Sequence, residues 1–316
     1  MSIRLQRCGN GGCCVTESQT TERGKIGVVT VTYNSTLVLQ EFFDSLALQS
    51  YKNFVLYLVD NASKDETIKM ARERRDISVV ILANSDNVGV ADGNNQGITA
   101  ALADGCECVL LLNNDTTFPD DFIAELYKGL ELYSCDMTTG KMYFYDRPEI
   151  LWCAGGRFKS WPSVDVIHDG VNNRDSGQYD NPRRVCYTPT CCLLVRRTVF
   201  DRVGMMDGKY FVFYDDADFL FRCRSHGIVL WYVPKAKLWH KVGSLNKNLP
   251  DFSVRYFARN HIYFVRKHLP RWQAYIWYWL DQSRYALAFF LFRSSLAEWR
   301  LRRTAARDGW TMPLPS

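Results

Sequence analysis

The stretch Val109–Thr117, VLLLNNDTT, constrains the fold more than any other part of the chain. Its four leading apolar residues predict a strand buried on both faces, which is typical of mostly parallel sheets. The strand ends at two amides and a carboxylate, Asn113, Asn114 and Asp115. Open α/β sheets bind ligands at the carboxyl ends of their strands, and an oxygen-rich corner there suits a divalent cation that holds a phosphate. Turn formation and helix capping are alternative roles for the same residues.

Composition and cysteine content indicate a globular protein of a reducing compartment. Of the 316 residues, 47% are apolar and 23% are charged, so the chain can bury a sizeable core. The eleven cysteines include no C-x-x-C pair, and we expect reduced thiols rather than a disulfide framework or a zinc site. No secretory signal precedes them, which predicts a cytoplasmic protein. Residues 1–24 lack periodicity and are expected to form a flexible lead-in.

Three more strands are predicted before the central one, at Ile26–Tyr33, Phe54–Val59 and Ser78–Leu82. Apolar residues at helical spacing between the first two complete a βαβ unit. The segment 84–102 is rich in Gly and Asn and predicts a loop that leads into a helix. Its glycines do not form the G-x-G-x-x-G fingerprint of dinucleotide-binding proteins. The sequence therefore predicts an α/β nucleotide-binding sheet, mostly parallel and flanked by helices, without the Rossmann glycines.

A cluster of carboxylates in the second half is a candidate site. Asp215, Asp216 and Asp218 lie within four residues among Phe and Tyr, just before a predicted helix at Phe219–His226. Carboxylates packed this closely repel one another and are partly desolvated, and both effects raise a pKa. A raised carboxyl pKa is the condition for a general base near neutral pH. Charge compensation at the helix N-terminus is the alternative role for the cluster.

Four sequence blocks between residues 26 and 117 resemble the N-terminal half of family-2 glycosyltransferases with the GT-A fold. They are TVTYN, VDNAS, N-x-x-N-x-G-x-x-x-G-N-N-x-G and LLLNNDT. The resemblance implies a GT-A catalytic domain over residues 25–250. By position, Asp216 matches the family's general base, and Asp215 and Asp218 would support it or the acceptor. Asp215 departs from the Glu that is usual in the family.

The same blocks imply the residues that bind the sugar nucleotide. The resemblance assigns this role to Thr32, Tyr33, Asn34, Asp60, Asn87, Gly89, Asn94, Asn95, Asn113 and Asn114. The position of Asp60 at the end of its strand is compatible with two roles. It could shape the turn after its strand, or it could accept hydrogen bonds from a nucleotide.

A divalent cation, Mg²⁺ or Mn²⁺, is the implied cofactor. His240 lies in a P-x-A-x-x-x-H setting that binds the metal or the donor diphosphate in similar enzymes. Asp115 and His240 would then be its two protein ligands, and diphosphate oxygens and water would complete six-coordination. Where the family often has D-x-D, this chain has N-N-D. A structural role is the alternative for a lone histidine after a strand.

The resemblance implies inverting transfer of a single sugar from a nucleotide-sugar donor. dTDP-rhamnose is the favoured donor and a UDP-sugar the alternative. The acceptor would be a hydroxyl group of a saccharide or lipid-linked glycan in surface polysaccharide synthesis. The Q-x-x-R-W signature of processive synthases is absent. A sugar nucleotidyltransferase and a non-catalytic carbohydrate- or membrane-binding module are the alternatives from other classes.

The C-terminal region, residues 251–316, is aromatic and basic. Residues 251–307 hold eleven Lys or Arg against three Asp or Glu. An anionic membrane surface fits this composition better than nucleic acid, which we do not expect as a partner. No apolar run reaches the ~20 residues that span a bilayer. We expect helices that lie peripherally on the inner face of the cell membrane, with packing on the body or a homodimer interface as alternatives.

Overall fold

A ten-stranded sheet with helices on both faces organises the protein in a computed structural model, which describes residues 24–159, 165–243 and 250–315. The predicted flexible segment 1–24 lies outside the described residues except at Gly24. The strands are β1 Ile26–Thr32, β2 Phe54–Asp60, β3 Val79–Ala83, β4 Cys108–Leu112, β5 Thr116–Thr117, β6 Met137–Phe144, β7 Leu151–Cys153, β8 Gly156–Phe158, β9 Val166–His168, β10 Arg183–Val185, β11 Cys192–Arg196 and β12 Leu230–His240. The helices are α1 Thr36–Ala47, α2 Thr67–Glu73, α3 Gly89–Ala103, α4 Phe122–Leu132, α5 Arg197–Val203, α6 Asp215–Ser225, α7 Pro250–His268, α8 Arg271–Phe290 and α9 Leu296–Thr311.

The strand order across the sheet is β10-β12-β6-β11-β4-β1-β2-β3. The half formed by β3, β2, β1 and β4 is parallel, as the βαβ pattern predicted. Strand β11 then runs antiparallel between β4 and β6, and β12 lies parallel to β6. The short strand β5 pairs with β12, β7 pairs with β6, and β8 and β9 form a separate hairpin. The carboxyl ends of β1, β2 and β4 therefore meet at one edge.

The sheet is buried on both faces, as the apolar run in β4 predicted. Val109 and Leu111 belong to one hydrophobic cluster, whereas Leu110 and Leu112 belong to the other. Successive side chains of a strand point to opposite faces, so one strand contributes to both layers of the core. This two-sided packing fixes the strand register and with it the position of the polar residues that follow β4.

The predicted Gly/Asn-rich loop is helical, because α3 begins at Gly89 rather than late in the segment. The pattern reads as a loop since glycine has low helix propensity. Packing overrides that propensity here. A Cβ atom on Gly93 would lie 2.9 Å from a methyl group of Val31, and one on Gly97 would lie 2.4 Å from a methyl group of Val29. The glycines therefore let α3 approach the sheet closely.

The C-terminal region is helical, as expected, and its first helix is part of the core. Ile262, Tyr263, Phe264 and Val265 of α7 are fully buried in the same cluster as β1 and β4. Helix α9 packs so closely on α7 that a Cβ atom on Gly309 would lie 2.0 Å from the backbone oxygen of Arg259. Among the described helices, none is both long and apolar enough to cross a membrane.

Candidate active site

Asp60, the last residue of β2, connects the end of β1 to the following loop through hydrogen bonds. This carboxylate is fully buried. The hydroxyl of Thr32 donates to its Oδ1 over 2.8 Å, and Ser63 donates through its hydroxyl over 2.6 Å and through its backbone N–H over 2.9 Å. These contacts give Asp60 and Thr32 a role in shaping the turn. Their predicted contact with the nucleotide stays a prediction.

Tyr33 and Asn34 form the open part of this edge. The Tyr33 side chain is 45% exposed. Asn34 has a positive φ of 50° and is held by Ser63, whose hydroxyl accepts from the Asn34 backbone N–H. The Asn34 side chain accepts from the backbone N–H of Lys64 over 2.8 Å. The aromatic ring of Tyr33 is therefore available to a ligand, while Asn34 shapes the loop that presents it.

The asparagines predicted along α3 have structural partners. Asn87 accepts from the backbone N–H of Gly89 over 2.9 Å at the start of the helix. The Asn95 side chain donates to the backbone oxygen of Met206 and accepts from its N–H, over 2.9 and 3.0 Å. The Asn94 amide lies 3.8 Å from the Met206 sulfur. The contacts of Asn94 and Asn95 anchor α3 to the segment after α5. The predicted contact of Asn87, Gly89, Asn94 and Asn95 with the donor stays a prediction.

The two asparagines after β4 differ in their surroundings. Asn114 is buried, and its amide donates to the backbone oxygen of Val31 over 2.8 Å and to the hydroxyl of Ser35 over 3.3 Å. It ties the end of β4 to the start of α1. Asn113 is exposed at the carboxyl end of the strand, so its side chain is available to a ligand at the edge where the sequence predicted one.

Asp115 and His240 are brought together by the pairing of β5 with the end of β12, in which Thr116 lies opposite His240. The Nε2 atom of His240 lies 3.0 Å from Oδ1 of Asp115. Both residues are more than nine-tenths buried, at 6% and 8% exposure. The other ring nitrogen of His240, Nδ1, is buried without a hydrogen-bond partner among the described residues. Two residues 125 positions apart in the sequence thus form one polar pair at the sheet edge.

The separation of this pair fits a divalent cation. Two ligands in adjacent octahedral positions, each about 2.1 Å from Mg²⁺, lie about 3.0 Å apart, which matches the distance between the His240 and Asp115 atoms. Within the described ranges, no group of three or more His, Cys, Asp or Glu side chains could hold a metal ion. The pair would therefore need a diphosphate and water to complete the coordination sphere.

The acidic cluster opens α6, with all three aspartates in its first turn. Asp215 is buried, and burial together with the neighbouring charge of Asp216 raises its pKa to about 8. Asp216 is partly exposed. Burial also raises the pKa of Asp216, against the opposing effect of Tyr187, whose hydroxyl donates to its Oδ2 over 2.7 Å. Of the two, Asp216 is the carboxylate that a substrate can reach.

Asp218 is separated from this pair by its ion pairs. It is fully buried, and it contacts Arg222 at 2.9 Å and both Lys267 and His268 at 2.7 Å. Burial pushes the pKa of Asp218 upward, but the hydrogen bond from His268 and the charges of Arg222 and Lys267 outweigh it and hold that pKa below its usual range. These contacts fix α6 on α7, and the predicted role of Asp218 in supporting the base or the acceptor stays a prediction.

The backbone that enters α6 is held in an unusual conformation. Phe211, Phe213 and Tyr214 all have positive φ, between 63° and 66°. This conformation is costly for bulky side chains and persists only where the surroundings impose it. The fully buried Asn260 of α7 donates through its amide to the backbone oxygens of Tyr210, Val212 and Phe213, over 2.7 to 2.9 Å. Helix α7 thereby sets the direction from which α6 and its aspartates start.

Three aromatic side chains of the site were not predicted from the sequence. Trp152 lies on β7, His168 on β9, and Tyr187 just before β11. Strands β7 and β9 are each three residues long, too short for a periodic signal. Tyr187 lies outside the strands, at an isolated bridge to Gly156, and such connecting segments often carry function.

Comparison with known proteins identifies the family. Residues 27–204 match the model of Glycosyl transferase family 2. The chain belongs to glycosyltransferase family 2. This confirms the family predicted from the four sequence blocks and argues against both a nucleotidyltransferase and a non-catalytic module.

Rhamnosyltransferases are among the relatives of this family-2 glycosyltransferase. It is 27% identical over 261 residues to a dTDP-rhamnosyl transferase of Shigella flexneri, an alignment that covers 78% of this chain and 81% of the relative. It is 26% identical over 304 residues to an N-acetylglucosaminyl-diphospho-decaprenol L-rhamnosyltransferase of Mycobacterium tuberculosis, covering 89% of this chain and 97% of the relative. The prediction of a rhamnosyltransferase-like member of the family is therefore confirmed.

Solved structures confirm the GT-A fold of this glycosyltransferase. A mannosyltransferase from Pyrobaculum calidifontis in complex with GDP-Man and Mn²⁺ superposes with a TM-score of 0.57 at 18% identity, covering 92% of this chain and 85% of that one. GalNAc-T7 with UDP, GalNAc and Mn²⁺ gives a TM-score of 0.64 at 14% identity, covering 92% and 55%. At these identities the likeness establishes the fold alone.

Proposed function

We propose that this glycosyltransferase transfers one sugar, with inversion, from a nucleotide-sugar donor to a hydroxyl group of a saccharide or lipid-linked glycan in surface polysaccharide synthesis. dTDP-rhamnose is the favoured donor because the Shigella flexneri relative is named for it, and a UDP-sugar is the alternative. The observation that carries the proposal is the partly exposed carboxylate of Asp216, oriented by Tyr187 over 2.7 Å.

Asp216 acts as the general base. A pKa raised to about 8 favours protonated Asp215 at neutral pH, and the hydrogen bond from Tyr187 favours the ionised form of Asp216. The Tyr187 hydroxyl orients one carboxylate oxygen. As the acceptor oxygen attacks the anomeric carbon, Asp216 accepts its proton, and the bond from that carbon to the diphosphate breaks. One displacement inverts the anomeric centre, so no carboxylate nucleophile of the retaining type is required.

The donor lies across the carboxyl edge of the parallel strands. Tyr33 and Asn113 are the exposed side chains there, and they are proposed to contact the nucleoside. Asp115 and His240 would hold Mg²⁺ or Mn²⁺ together with the diphosphate. Bound there, the cation would neutralise the charge that develops on the leaving nucleoside diphosphate.

The enzyme is proposed to meet its acceptor at an anionic membrane surface, which α8 contacts. An exposed stripe of large apolar side chains runs along α8 and the following turn: Trp272, Tyr275, Ile276, Trp279, Leu280, Leu287, Phe290, Leu291 and Phe292. Arginines are exposed in the same segment at Arg271, Arg284 and Arg293, and on α9 at Arg300, Arg303 and Arg307. An exposed apolar stripe in a region rich in exposed positive charge suits a helix that lies in the plane of an anionic interface. The Mycobacterium tuberculosis relative, whose name refers to a decaprenol-linked substrate, supports a lipid-linked acceptor.

The substitution Asp216→Asn tests the assignment of the base. Asn preserves the size of the side chain but cannot accept the proton, so turnover should fall by the 10²–10⁴ that general bases typically contribute. Affinity for the donor should be retained, because the proposed nucleotide and cation contacts lie elsewhere. Turnover of dTDP-rhamnose and UDP-sugars, and donor affinity by calorimetry, are the measurements.

Asp201→Asn, at an exposed carboxylate on α5, is the matched control and should keep full activity. If Asp215→Asn abolishes turnover while Asp216→Asn retains it, the base has been assigned to the wrong carboxylate. If neither variant loses turnover, the acidic cluster serves only to cap α6.

The cation site is tested by thermal shift with sugar nucleotides and Mn²⁺. A ligand at one hundred times its Kd stabilises a protein by about 2.7 kcal/mol. Asp115→Ala and His240→Ala should each lose the part of this stabilisation that depends on Mn²⁺. Unchanged Mn²⁺ dependence in both variants would return the pair to a structural role.

A further inference from the structure

A continuous series of rings connects the two ends of the site. The ring of Trp152 meets the His240 ring edge-on at 4.5 Å and the His168 ring at 5.3 Å. His168 in turn stacks on Tyr187 with centroids 5.5 Å apart, and Tyr187 donates to Asp216. The series therefore begins at the candidate cation ligands and ends at the candidate base.

Only some of the rings in this series are accessible to a ligand. Leu151 and Cys153 of β7 are fully buried, so Trp152 points to the opposite face of its strand. Trp152 and His168 are each partly exposed, whereas Tyr187 and His240 are almost completely buried. A molecule bound between the two ends of the series would thus meet the rings of Trp152 and His168.

The geometry of an inverting displacement determines which part of the donor lies between the two ends of the series. In an inverting displacement the leaving phosphate and the attacking oxygen are on opposite sides of the anomeric carbon. The transferred sugar must therefore lie between the diphosphate at Asp115 and His240 and the base at Asp216. Ligand sites are built mainly from apolar and aromatic side chains, with a few polar groups that fix orientation. A pyranose ring has an apolar C–H face that an aromatic ring can cover, and burying that face is favourable.

We infer that Trp152 and His168 form the surface on which the transferred hexose ring of the donor lies. This inference rests on the proposed glycosyl transfer and adds to it the residues that bind the sugar, as distinct from those that bind the nucleotide. The indole ring covers the C–H face of the sugar. The imidazole extends this surface toward Asp216, where the acceptor hydroxyl approaches.

The test compares each sugar nucleotide with its own nucleoside diphosphate. Binding of dTDP-rhamnose and dTDP, and of UDP-glucose and UDP, is measured by calorimetry with Mn²⁺ for the wild type, Trp152→Ala and Trp152→Phe. Trp152→Ala should weaken binding of the intact donor at least tenfold and leave binding of the nucleoside diphosphate unchanged. Trp152→Phe keeps an aromatic surface and should recover most of the loss.

Trp231→Ala is the matched control. This partly buried tryptophan stacks on Tyr133 and lies nine residues from His240 along β12, about 30 Å at the rise of a strand. It should bind both ligands as the wild type does. Equal weakening of donor and nucleoside diphosphate in Trp152→Ala, or no weakening of either, would overturn the inference. A wild-type protein that binds nucleoside diphosphates but transfers no sugar would instead refute the proposed function.

Discussion

Replacing Asp215 by Asn should make the protein more stable at neutral pH. The carboxyl group is 4% exposed, and burial and the charge of Asp216 raise its pKa from 3.8 to about 8. Between these two values the folded protein holds a proton that the unfolded chain releases. Stability therefore falls as pH rises through this window. An amide carries no such proton, so the variant lacks this dependence.

The size of the effect follows from the pKa difference. Each pH unit between the unfolded and folded pKa values contributes about 1.4 kcal/mol. About three such units lie between pH 4 and pH 7, so the stabilisation at pH 7 should approach about 4 kcal/mol. It should be close to zero near pH 4 and largest above pH 8, where the wild-type carboxyl is ionised in both states.

Urea unfolding of both proteins at pH 5, 6, 7 and 8 measures this difference. The free energy of unfolding of the variant minus that of the wild type should increase with pH over the series. A constant difference would mean that the pKa of Asp215 is not raised. The assignment of the charge to Asp216 would then lose its basis, even if Asp216→Asn still reduced turnover.

Three further outcomes are expected. Tyr187→Phe removes a hydrogen bond that favours ionised Asp216, so the acidic limb of the pH profile of kcat/KM should move to higher pH. Asp218→Asn removes the buried charge that pairs with Arg222 and Lys267 and should lower the free energy of unfolding by about 3–5 kcal/mol, measured in urea. The double substitution Trp279→Ser and Leu287→Ser should abolish flotation with phosphatidylserine vesicles at low salt, because it removes large apolar side chains from the exposed stripe on α8.

The Asp218 and α8 substitutions each have a matched control. Asp76→Asn breaks a partly exposed ion pair with Arg74 and should cost at most about 1 kcal/mol. Leu37→Ser, at a 93% exposed leucine on α1, should not change flotation. A stripe variant that floats like the wild type but loses a dimer seen in sedimentation would make α8 a homodimer interface. An unshifted acidic limb in Tyr187→Phe would show that this hydroxyl does not influence the base.

Sequence patterns predicted the site residues that lie at the ends of long strands. The buried strand β4 runs directly into Asp115, and the parallel pairing of its neighbours follows from the βαβ order. His240 was found through the motif around it. Its contact with Asp115 depends on the pairing of β5 with β12. That pairing joins the two residues of β5 to residues 122 and 124 positions later in the chain, and no local pattern predicts it.

Other features of the fold and the site depend on tertiary packing, which cannot be inferred from local sequence patterns. The helix at Gly89 forms because its glycines fit against β1, although glycine disfavours helices when considered locally. Trp152 reaches the site only because the antiparallel β6–β7 pairing directs it there. The three aspartates look equivalent in the sequence. The structure separates them: the pKa values of Asp215 and Asp216 are raised, whereas that of Asp218 is lowered, because of the three only Asp218 contacts Lys267 and His268 on a helix far along the chain.

The hydrogen bonds from Asn260 to the backbone before α6 have a practical consequence for work with this enzyme. A tail that served only as an anchor could be deleted to improve handling, or exchanged between relatives to redirect the enzyme to another surface. Here α7 holds the backbone that enters α6 and also supplies Lys267 and His268, which contact Asp218. Deletion or exchange at residue 250 would therefore inactivate the catalyst itself. Any transplantable anchor must begin after α7, and it must preserve the close contact of Gly309 with that helix.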